Sequence, residues 1–107
     1  MSQDPRRAAQ QAVVARVLER EGHASRADRR AVFDKAGLAE PLSALIEKVA
    51  LHPTRVTDDD IAAVVASGLS EDQVFELVVC AAVGQATRQY ETALGALDAA
   101  TGDAHAA

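Results

Sequence analysis

The stretch SEDQVFELVVCAAVGQATRQY, residues 70–90, limits what this chain can fold into more than any other. It opens on Ser70 and Gln73, a Ser-x-x-Gln pattern in which each side chain can satisfy a backbone N–H at the other position, the capping box of a helix start. It then runs almost wholly apolar to Val83 before turning polar. Helix formers dominate and alternation never persists, so the spacing predicts a long helix over about 71–99. Its middle carries small residues, Ala81, Ala82, Gly84 and Ala86. A glycine inside a helix costs up to about 1 kcal/mol relative to alanine. The low surface it leaves is a seat for a close helix crossing, within the subunit or between subunits.

Four further helices precede it. The first covers about 5–21, with Asp4 as cap and Pro5 at the first helical position, where a missing N–H is harmless. Its apolar stripe is Ala9, Val13 and Val17 with Val14 and Leu18, and Gly22 is the expected stop. Ser25 caps a charged second helix over about 26–36, whose bulk is Ala31, Val32 and Phe33, with Gly37 ending it. The third begins near Glu40 and Pro41. It recurs apolar at Leu42, Leu45, Ile46, Val49 and Ala50, and stops at His52-Pro53 because proline disfavours helical geometry in the residue before it. Thr57 caps a short fourth helix over about 58–67. Asp58, Asp59 and Asp60 complement the dipole in its first turn, and Ile61, Val64 and Val65 face inward. The expected fold is all-α, a bundle of about five helices, with a frayed tail over 101–107.

A chain of 107 residues is one domain, long enough to form a core without metal or disulfide. Much of its 49% hydrophobic content is alanine and only 3% is aromatic. Alanine buries little area, so a monomeric core is thin and a subunit interface would supplement it. The net charge of −5 argues against nucleic acid, which is bound by neutralising phosphates. The single cysteine forms no internal disulfide and fits a reducing cytoplasm. No apolar run is long enough to span a membrane, and MSQDPRRAAQ has no signal-type apolar region after its arginines.

The order and spacing of four pieces resemble the alkylhydroperoxidase D-like, carboxymuconolactone decarboxylase-like superfamily. They are the helix end at Lys48-Val49, the run VTDDD at 56–60, the corner GLSEDQVFE at 68–76, and the small-residue helix reaching Arg88. The resemblance covers about half the chain, the family-like core at 38–100 following N-terminal helices at 1–37. It implies an alkylhydroperoxidase D-like bundle that assembles as a homo-oligomer, with a larger family-related subunit as an alternative partner. Redox members of that family carry Glu followed by Cys-x-x-Cys and a nearby His. Two thiols are needed because one must resolve the attack of the other. No Cys-x-x-Cys occurs here, so the chain resembles a short member without the redox motif, a non-redox module binding a partner subunit or small ligand. The alternative is a decarboxylase-like or peroxidase-like enzyme with its site between subunits.

The candidate catalytic residues are Glu76, His52, Arg88 and Cys80. Cys80 has no Lys, Arg or His within four positions, and Glu76 one turn back raises a thiol's pKa, so packing accounts for it better than reactivity. Glu76 lies in an apolar run and calls for a partner; Arg88, Lys48 and Arg55 are candidates, with a general base as the other reading. His52 suits a helix C-terminus. Arg88 suits an anionic substrate or an inward carboxylate. His23 and His105 lie in a turn and the tail, and three scattered histidines with one cysteine have no metal-ligand spacing. Asp58, Asp59 and Asp60 lack the spacing of a calcium loop. No cofactor or metal is expected.

Overall fold

A computed structural model describes residues 4–101; the expected frayed tail at 102–107 and His105 within it lie outside the described residues. Within these residues five helices follow one another: α1 (Pro5–Glu19), α2 (Arg26–Asp34), α3 (Leu42–Leu51), α4 (Asp58–Ala66) and α5 (Glu71–Thr101), with a 3₁₀ turn at Pro53–Arg55 between α3 and α4. Among the described residues there is no strand.

The expected caps form. Asp4 accepts from the Arg6 N–H, and Ser25 from the Asp28 N–H. Thr57 and Asp60 complete a reciprocal capping box at α4. Ser70 and Gln73 do the same at α5, at 2.8 and 3.1 Å. Each satisfies N–H groups that a helix start leaves without an intrahelical partner.

The ends differ from expectation where tertiary contacts decide them. α1 stops at Glu19, not at Gly22, because its last carbonyls are taken by side chains of α2. Arg26 donates to the Glu19 carbonyl, and Arg29 to those of Val17 and Arg20. α2 ends at Asp34 with Lys35 in the left-handed region, two residues ahead of Gly37. α3 begins at Leu42, after Pro41. Thr101, expected in the frayed tail, is helical and belongs to α5.

α5 is the axis on which the other helices pack. It buries Val74, Leu77, Cys80, Ala81 and Gly84, one face of a 3.6-residue period. Around Leu77, Cys80 and Ala81 cluster Ala24, Val32 and Ile46, while Leu45, Val64 and Val74 form a second buried group. Leu42, Val49 and Leu69 pack against both. The expected inward faces of α3 and α4 are therefore realised. That of α1 is rotated: Leu18 is its only buried residue, and Val13 is 52% exposed. α1 lies antiparallel to α5, with Arg7 pairing to Asp98, Gln10 donating to Thr87, and the Val17 carbonyl receiving Cys80.

At Gly84, α5 comes close to the backbone of α2. A Cβ there would fall on the Phe33 carbonyl oxygen. The close crossing expected of the small-residue stretch is thus an intrasubunit one at this position.

Candidate functional site

Glu76 leaves α5 toward the turn between α1 and α2. Its carboxylate accepts from the His23 N–H at 2.7 Å and the Ala24 N–H at 3.0 Å. These two backbone bonds hold its pKa below the ordinary carboxylate range. The expected ion pair with Arg88, Lys48 or Arg55 does not form. Lys48 donates to both carboxylate oxygens of Asp60, tying α3 to the first turn of α4. Arg88 donates to the Phe33 carbonyl at 2.6 Å and to Gln85 at 3.0 Å, closing the C-terminus of α2. Arg55 is exposed in the 3₁₀ turn. A glutamate with two backbone donors has no need of a cation, and an acidic pKa suits a structural acceptor, not a general base working near neutrality.

Glu76 and Gln73 together pin the turn. Gln73 donates to the His23 carbonyl, so successive backbone groups of 23–24 are held from α5. Ala24 is thereby pressed into the core, 4% exposed.

Cys80 is 2% exposed, and its thiol donates to the Val17 carbonyl at 3.5 Å. Burial pushes its pKa up; Arg29 works against that and Glu76 with it, both more weakly. The packing account of Cys80 stands, with one amendment. Sequence neighbours supply no cation, but α2 brings the Arg29 guanidinium to it.

Arg29 is the residue that sequence reasoning missed. It is 5% exposed, a buried charge on a helix expected to bury only Ala31, Val32 and Phe33. The signal was available: Arg29 stands three and four residues before Val32 and Phe33, so it shares their face. Its Nη1 caps α1 by donating to the Val17 and Arg20 carbonyls, where the helix dipole favours a cation. Its Nε is buried without a hydrogen-bond partner. An open cleft of about 290 Å³ lies beside it, between α1 and α5, with Val17, Phe75, Val79 and Cys80 as apolar wall and Arg16, Arg20, Glu21 and Glu76 as polar surround.

The sequence candidates do not converge. Glu76 and Cys80 line this cleft. His52 is exposed at the end of α3, its N–H bonded to the Lys48 carbonyl. Arg88 lies further along α5, over the end of α2. Among the described residues no group of three His, Cys, Asp or Glu is placed to hold a metal ion, and no helix is long and apolar enough to cross a membrane.

A second concavity of about 670 Å³ lies across α3, the 3₁₀ turn, α4 and α5. Leu51, Pro53, Val56 and Ile61 form one bank, and Val78 and Ala82 lie on the α5 side. It shares no lining residue with the cleft at Arg29. No family model, curated protein or solved structure matches the chain.

Proposed function

We propose that this chain is a non-redox, self-associating helical module, of the kind its resemblance to the alkylhydroperoxidase D-like family implies, whose work is binding and not thiol chemistry. The observation that carries this reading is the groove across α3, α4 and α5. It is lined without a single charged side chain, in a chain of which 25% of residues are charged. Charge depletion distinguishes the centre of a protein interface from ordinary surface. Leu51, 46% exposed, stands at this groove.

The occupant is a second copy. α5 has 31 residues and spans about 46 Å at 1.5 Å per residue, most of the molecule's 57 Å long axis. From Glu91 to Thr101 every residue but Leu94 is exposed, including Leu97 at 53%. An exposed helical end has little packing to sustain it. A two-fold exchange would lay the Ala93, Ala96 and Leu97 end of each α5 against the other copy's groove, an isologous and closed arrangement.

Light scattering at micromolar concentration tests this. A dimer or larger particle is expected, and a monomer of 11.2 kDa would contradict it. Ala82 is exposed and lines the groove, so Ala82→Arg should reduce the particle to the mass of the monomer without loss of helicity.

A further inference from the structure

The groove across α3, α4 and α5 does not end at Gln89. A shallower concavity of about 470 Å³ continues it along α5, and Gln85 and Gln89 line both. Along the two together, Val78, Ala82, Gln85, Gln89, Thr92 and Ala96 recur four and three residues apart. That alternation is the seven-residue repeat by which one helix keeps a single seam against another. The surface is shaped for a helix over about 27 Å, at 1.5 Å per residue. Arg88 is the one charged side chain lining it, and its guanidinium is tied to the Phe33 carbonyl and to Gln85.

A two-fold exchange runs the two α5 helices antiparallel, so residues meet at equal distances on either side of the axis. Ala82 and Ala96 each stand seven residues from Gln89, and Gln85 and Ala93 each stand four from it. Laying Ala93 and Ala96 on Gln85 and Ala82 of the second copy therefore puts the axis at Gln89. A slip of two residues in register moves the axis by one, to Arg88, which is bonded to α2, or to Tyr90, which lines neither concavity. Gln89 is exposed, and its side chain makes no hydrogen bond among the described residues.

The residue type fits the place. A side chain on a two-fold axis faces its own copy, and a carboxylate or ammonium would repel its mate there. An amide carries both NH₂ and carbonyl, so two glutamines can exchange two equivalent N–H···O bonds. A polar pair at one seam position also fixes register, because a slipped pairing leaves both amides unsatisfied. On the reading that two copies associate through the groove, we propose that Gln89 lies on their two-fold axis, pairs with Gln89 of the second copy through reciprocal amide bonds, and sets the antiparallel register of α5.

Sedimentation velocity on the full chain at pH 7 tests this with Gln89→Glu, Gln89→Lys and an equimolar mixture of the two. Gln89 is exposed in the single subunit, so both variants should keep the wild-type helicity in circular dichroism. Each alone should associate at least about ten-fold more weakly than the wild type, because like charges meet on the axis. Mixed, they should recover a particle of wild-type mass containing both chains, since each pair then sets a carboxylate against an ammonium. If the wild type associates and either variant alone associates as tightly, Gln89 is not on the axis, and self-association stands without it. Two weakened variants that stay apart when mixed would overturn the proposal in the same way. A monomeric wild type would remove self-association and this pairing together.

Discussion

Glu76 holds two backbone N–H groups with two carboxylate oxygens, and a glutamine in its place has only one oxygen to offer. Glu76→Gln should therefore leave one N–H of the turn at 23–24 facing an amide NH₂. The expected loss is about 1–3 kcal/mol, the usual cost of leaving a polar group unsatisfied or removing a charged acceptor. Its pH dependence follows from the direction of the shift. The folded carboxylate titrates below its ordinary 4.5, so its stabilisation is complete above that value and is lost as pH falls through the folded pKa. The gap between wild type and Glu76→Gln in thermal melts should be constant near neutrality and narrow below about pH 4.5. A variant more stable than wild type at pH 7 would mean that the carboxylate is held unfavourably, as a poised base would be. At Cys80, burial and a raised pKa predict slow labelling by a thiol reagent in the native state and fast labelling in denaturant. Rapid native labelling would reopen thiol chemistry.

Where α5 crosses α2, three residues act as one joint. Gly84 admits the Phe33 carbonyl, Arg88 one turn further on donates to that same carbonyl, and Gln85 steadies the guanidinium. Gly84→Ala gains helix propensity of about 1 kcal/mol. It also places a methyl group on a backbone oxygen, which has no rotamer to escape into. Overpacking of this kind costs about 1–3 kcal/mol, so a net destabilisation is expected in chemical denaturation, and a stabilised variant would show that the helices separate freely. This joint was half legible in the sequence. The small residues 81–86 announced a close crossing because a low helix surface has few other uses. That Arg88 would meet a carbonyl and not a carboxylate was hidden, because α2's end reaches it only in three dimensions. The helix starts were legible for a local reason: a cap and its N–H groups lie within three residues of each other. The ends of α1 and α2 were not, because Arg26, Arg29 and Arg88 set them from other helices. The same distinction separates the candidate site into what could and could not be read. Cys80 and Glu76 share one helix, and their nearness follows from spacing. Arg29 belongs to another helix, and only its register with Val32 and Phe33 hinted that it turns inward.

The whole molecule has a small interior for its length. Its largest fully buried side chains are Leu45, Ile46, Leu77, Val32, Val64 and Cys80, and among the chain's aromatics Phe33 is buried while Phe75 lies outside. Burying a leucine or valine side chain contributes about 1.5–3 kcal/mol, and conformational entropy opposes the sum, so such an interior leaves little margin. Meanwhile Val13, Leu51, Phe75 and Leu97 stay substantially exposed. If two copies cover the groove and the far end of α5, that uncovered area becomes part of the stability of the assembly. Folding is then linked to association, and the melting temperature must rise with protein concentration, since mass action favours the species that buries more surface. Ala82→Arg should melt lower than the wild type at high concentration, converge with it on dilution, and show no concentration dependence of its own. Melts of both proteins across a hundred-fold dilution series measure this. A wild-type melting temperature that stays flat over that range would place the stability of the chain within the single subunit, and would require the uncharged groove to serve something other than a second copy.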